Sequence, residues 1–144
     1  LYEHYVLGAL RKAYGSKIVY QANVTMGKPD FLYVDAECPL ILDTKYKPRY
    51  GTGTFDKDDI RQLAGYARDR KVLKRLGIPK TEEQDLAAVP CVIIYPEVRG
   101  IGAKFDGAHS PIDQVMLKVA PIGELVGFYR MGFSLPVLKF NRQI

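Results

Sequence analysis

The chain has 144 residues, 47% of them hydrophobic and 26% charged, with 21 Lys and Arg against 16 Asp and Glu. That length supports one domain with a real core, and the net charge of +5 agrees with a polyanionic partner without demanding one. No signal peptide is visible and no apolar run approaches the roughly 20 residues that cross a bilayer, so no membrane association is expected.

Apolar residues at Tyr2, Tyr5, Val6, Ala9, Leu10 and Ala13 keep a 3.6-residue period and predict an amphipathic helix over 2–14. Because the chain starts at Leu1, inside this pattern and not at a Met, it reads as a fragment of a longer polypeptide. Gly15 and Ser16 end the helix, and 17–21 (KIVYQ) has the β-branched and aromatic character of a strand. A polar turn over 25–29 leads to a second strand at 31–35 (FLYVD). After a turn at Glu37, Cys38 and Pro39, a third strand covers 40–47 (LILDTKYK).

Acids at Asp56, Asp58 and Asp59 suit a helix N-terminus. Ile60, Leu63, Ala64 and Ala67 then predict one helix running to about Leu76, where Gly77 and Pro79 stop it. Residues 89–95 (VPCVIIY) form a strongly apolar strand and 115–121 a weaker one, while 128–138 is ambiguous. The Gly- and charge-rich stretch 96–110 reads as an exposed loop. Arg99 and Lys104 there are weak candidates for contact with a phosphate backbone; a solvated loop explains them as well. The order is that of a single α/β domain built on a mixed sheet flanked by helices.

Charge in the second and third strands is unexpected, because buried acids need a partner. With the turn placed at 36–39, residue 35 faces residue 40, Leu32 faces Asp43, and Asp30 faces Lys45. Opposed residues share a sheet face, as do residues two apart. Asp30, Asp43 and Lys45 then converge, provided that the register holds. Two close carboxylates suit a hard divalent cation with oxygen ligands, Mg²⁺ above all, which neutralises charge developing on a phosphate. Lys45 would orient water or stabilise the transition state. A salt-bridged strand pair, Asp43 with Lys45 or Asp30 with Lys28, accounts for an isolated D-x-K too. On the following helix Asp59, Gln62 and Tyr66 form one stripe. Gln62 is suited to hydrogen-bond a phosphate or a water on the metal, with Tyr66 steadying it; an ordinary helix surface is the plain alternative.

Together "PD" at Pro29 and Asp30, "DTK" at Asp43 to Lys45 and Q-x-x-x-Y at Gln62 and Tyr66 resemble the PD-(D/E)xK nuclease superfamily. "LYEHYV" at 1–6, "ILDTKYK" at 41–47 and "DIRQLAGYA" at 59–67 are most similar to the nuclease domain of McrC, the cleaving subunit of McrBC-type modification-dependent restriction systems. The resemblance covers the first half of the chain and 89–95 loosely. It implies a restriction-endonuclease-like fold and hydrolysis of DNA with Mg²⁺, for which Mn²⁺ would substitute, in a prokaryotic cytoplasm. Asp30, Asp43 and the Thr44 carbonyl would ligate the metal, and Lys45 would position the attacking water. Glu3 would complete the shell through water, although a surface acid on a helix is common. Gln62 would be an auxiliary active-site residue, supported by Tyr66 and Asp59. The implied partner is an McrB-like AAA+ GTPase motor. No G-x-x-x-x-G-K-[ST] loop occurs here, so that motor is another chain, and dimerisation within the assembly is a further expectation. Another nuclease of the superfamily and a catalytically silent DNA-binding module are the alternatives.

Other chemistry has little support. His4 and His109 lack zinc spacing, no G-x-S-x-G elbow is present, and two cysteines are too few for an iron–sulfur cluster. Two lone thiols, Cys38 in a turn and Cys91 in a core strand, fit an intracellular protein, with a disulfide between them the alternative. The ten tyrosines offer faces to bases, but most sit where core packing explains them.

Overall fold

The computed structural model describes residues 1–80, 89–97 and 119–133. Arg99, Lys104 and His109 lie outside them, as do 115–118 of the expected weak strand and 134–138 of the tail.

Three helices and six strands form among the described residues: α1 (Tyr2–Tyr14), β1 (Ile18–Tyr20), β2 (Phe31–Tyr33), β3 (Leu40–Thr44), α2 (Lys57–Ala67), α3 (Arg70–Arg75), β4 (Cys91–Tyr95), β5 (Ala120–Pro121) and β6 (Phe128–Gly132). The strands make one mixed sheet in the order β1-β2-β3-β4-β6-β5. β1, β2 and β3 pair antiparallel, β3, β4 and β6 parallel, and β5 returns antiparallel on β6. The first half of the ambiguous tail is thus a strand.

Both faces of the sheet are covered. α1 lays Tyr2, Val6 and Leu10 onto Phe31, Tyr33, Leu40, Leu42, Val92 and Ile94. α2 and α3 cover Leu32, Ile41, Cys91 and Ile93 on the other face. Double coverage is why β3 and β4 read as unbroken apolar runs rather than alternating ones. Each fully buried aliphatic side chain contributes roughly 1.5–3 kcal/mol, so a carboxylate in the same row works against the packing around it. No helix among the described residues is long and apolar enough to cross a membrane.

Three sequence expectations need correction. The helix expected to reach Leu76 is two helices, because the Asp69 carboxylate caps α3 by accepting from Lys71 N–H at 2.9 Å and from Met26 N–H at 2.8 Å. A phase slip carries the signal: the first apolar stripe would continue onto positions 70, 71 and 74, which are Arg, Lys and Lys, whereas the buried side chains are Val72, Leu73 and Leu76. The third strand ends at Thr44, and a 3₁₀ turn follows at Pro48–Thr52. The hairpin register also differs. Phe31 faces Leu42 and Leu32 faces Ile41, not Asp43. The connection is longer than expected because Asp35 leaves the ladder to bind Lys17 Nζ at 2.9 Å and Glu37 N–H at 2.9 Å. The difference is two residues, so every side chain keeps its face.

Candidate active site

Continued by one residue, the observed register sets Asp30 opposite Asp43. Asp43 is 3% exposed at the end of β3, and Asp30 is half-buried just before β2. Asp30 Oδ2 accepts from the Thr44 N–H at 2.9 Å and from its hydroxyl at 2.7 Å. The Thr44 side chain, which faces away from Asp43, therefore fixes one acid of the pair. Sequence reasoning considered only its carbonyl; the signal available was a hydroxyl beside the acid of D-x-K.

Lys45 Nζ lies 3.1 Å from Asp43 Oδ2, 3.8 Å from Asp59 Oδ1 and donates to Gln62 Oε1 at 3.1 Å. Asp43 Oδ2 is buried and meets the Lys45 ammonium as an ion pair, without a well-aligned hydrogen bond among the described residues. Gln62 Nε2 in turn donates to the Tyr66 hydroxyl at 3.4 Å. Asp30, Asp43, Lys45, Gln62 and Tyr66 thus meet at one end of the hairpin. The Asp43–Lys45 pair foreseen as a bland alternative does form, and among the described residues Asp30 makes no ion pair, so a second carboxylate stands there without a cation of its own. A purely structural ion pair does not need that second acid.

The electrostatics follow from this crowding. Burial, and then the Asp30 carboxylate, push Asp43 up to about 7, against the opposing pull of Lys45. Burial also raises Asp30, with Glu3 adding to the effect against the bonds from Thr44. Burial disfavours the Lys45 ammonium, yet Asp43, Asp59 and Asp30 outweigh it and hold its pKa above that of a free lysine. The site carries more carboxylate than its single ammonium can neutralise.

Asp59 and Glu3 are more engaged with their surroundings than expected. Asp59 accepts from Lys47 Nζ at 2.9 Å and from the Tyr50 hydroxyl at 2.7 Å, tying the 3₁₀ turn to α2. Arg130 Nη1 bonds the Tyr50 carbonyl at 2.8 Å from β6. Lys47, Tyr50 and Arg130 went unnoticed in the sequence, since only folding brings Tyr50 to Asp59. Glu3 Oε2 accepts from the Tyr20 hydroxyl at 2.6 Å and from Gln21 Nε2 at 3.1 Å.

Among the described residues no three His, Cys, Asp or Glu side chains cluster as a metal cage. The side-chain donor set here is leaner, the two carboxylates of Asp30 and Asp43, to which the resemblance adds the Thr44 carbonyl. It fits a cation that keeps several waters and takes phosphate oxygens, as Mg²⁺ does, better than one needing an all-protein cage. Asp43 Oδ2, buried and without a well-aligned hydrogen bond among the described residues, is an atom such an ion would satisfy. Cys38 and Cys91 are not joined in a disulfide, and burial pushes the Cys91 thiol up to about 12, so it is inert. No protein-family model, curated protein or solved structure matches the chain.

Proposed function

We propose that this chain is a Mg²⁺-dependent deoxyribonuclease domain of restriction-endonuclease-like fold, hydrolysing DNA phosphodiesters as the nuclease subunit of a GTPase-driven restriction complex of McrBC type. The observation that carries the reading is the buried Asp43 carboxylate facing Asp30, with Lys45 at 3.1 Å and Gln62 beside it. Asp30, Asp43 and the Thr44 carbonyl would hold the cation, with Glu3 acting through water. Mg²⁺ there would neutralise phosphate charge and lower the pKa of water.

The residues divide the remaining work. Thr44 aims Asp30 by donating twice to one oxygen and favours its ionised form against the effect of burial. Lys45, held cationic by its neighbours, acts as a donor to developing negative charge and not as a base. Gln62 fixes the Lys45 head, and Tyr66 fixes Gln62. In the proposed reaction water adds to phosphorus as the 3′ oxygen leaves, giving 5′-phosphate ends. The motor and any dimer are read from the resemblance in the hairpin and α2 motifs.

Calorimetric titration of Mg²⁺ or Mn²⁺ into the wild type and Asp43→Ala tests the reading. Binding by the wild type that vanishes in the variant supports it. Equal binding by both, or binding by neither even with a short DNA duplex present, counts against it.

A further inference from the structure

On the α1 side of the sheet, a cleft of about 520 Å³ is lined by Leu1, Tyr2, Glu3, Thr44 and Tyr46, within the size range of small-ligand sites. It adjoins the carboxylate pair, because Thr44, which bonds Asp30, also forms its wall. Thr44 and Tyr46 line the cleft, while Lys45 between them reaches Asp43 and the α2 residue Gln62.

Four of the five lining side chains make contacts within the protein. Tyr46 is 67% exposed, an unusual position for so large a ring. It is nonetheless braced, since its ring meets that of Tyr2 edge to face with centroids 5.8 Å apart. Tyr2 is buried and anchored through its hydroxyl to the Phe133 carbonyl at 2.7 Å. The Glu3 carboxylate is held by Tyr20 and by Gln21, whose backbone takes the left-handed φ of 49°. An aromatic face and a carboxylate acceptor share this cleft with Thr44, the neighbour of Lys45. A nucleobase matches each part, with a π face to stack and ring or exocyclic N–H groups to donate. An aliphatic group would use only the ring.

We infer that this cleft receives one unstacked nucleobase of the strand whose phosphate lies at Asp30, Asp43 and Lys45, with Tyr46 as its stacking platform. The inference rests on the nuclease reading and narrows it: the strand entering the site is single-stranded or locally unpaired, because a base inside a duplex stack has no free face.

The test is fluorescence anisotropy with a labelled single-stranded DNA oligonucleotide, with Ca²⁺ supplied as a hard oxygen-liganded cation. One abasic nucleotide is stepped through the sequence. Tyr46→Ala should weaken binding about tenfold, within the range for loss of one base–aromatic stack, and Tyr46→Phe should bind like the wild type. The abasic position that weakens the wild type should have no effect on Tyr46→Ala. Tyr46→Ala binding as tightly as the wild type overturns the subsite, and the nuclease reading still stands if Asp43→Ala abolishes cation binding. A wild type that binds neither cation nor DNA overturns both. Because Tyr46 is exposed, thermal unfolding of each variant separates lost binding from lost fold.

Discussion

Replacing Asp43 by asparagine should make the metal-free protein more stable at neutral pH, although it removes the proposed site's central acid. Burial and Asp30 raise Asp43 from the ordinary 3.8 to about 7. At about 1.4 kcal/mol per pH unit, keeping it ionised in the fold costs on the order of 4 kcal/mol. The sign follows from proton counts. Between pH 4 and 7 the folded chain holds a proton at Asp43 that the unfolded chain has lost, so wild-type stability falls as pH rises through this window and levels off above it. A neutral amide in its place escapes the penalty and can donate toward Asp30. Urea unfolding in EDTA should therefore find Asp43→Asn more stable by up to about 4 kcal/mol at pH 8, with the gap closing toward pH 4.5. Mg²⁺ should work in the opposite direction: at a hundred times its Kd it stabilises the wild type by about 2.7 kcal/mol and leaves the variant unmoved. A variant no more stable than the wild type at pH 8 without metal, or one that gains equally from Mg²⁺, refutes the view of the pair as a cation site held under repulsion.

Two further perturbations test neighbouring parts of the structure. Lys45→Met removes the cation that pulls Asp43 down, so calorimetry should show Mg²⁺ binding shifted to higher pH, and single-turnover DNA cleavage should slow by at least about 100-fold; unchanged cleavage would exclude Lys45 from the chemistry. Asp69→Ala removes the α3 cap and leaves the Met26 N–H without its acceptor, which should cost about 2–3 kcal/mol in urea unfolding, with Asp69→Asn recovering part of the loss; a cost below about 0.5 kcal/mol would mean that the α2–α3 junction is held by packing alone.

Much of this protein was legible from local pattern. Tyr2, Val6 and Leu10 announced α1 by their spacing, and the apolar runs at 40–42 and 91–95 announced the central strands, because burial on one or two faces writes itself into residue order. The side-chain period of two put Asp43 and Lys45 on one face whatever the register, and the helical period put Gln62 and Tyr66 on another. Tertiary structure decided the contacts between those faces. The hairpin register depended on Asp35 leaving the ladder for Lys17, a contact 18 residues away. The break at Asp69 depended on the Met26 N–H, 43 residues distant. Arg130, Tyr50 and Asp59 joined through β6, 80 residues from the turn it braces. Local propensity acts over a few residues, whereas pairing of charges and filling of buried hydrogen-bond sites is settled by whatever the folded chain brings within about 3 Å. So the sequence by itself determined which residues would share a face, and only the fold determined that Asp30 stands directly opposite Asp43, that Thr44 holds one of them, and that Asp43 Oδ2 is buried against Lys45.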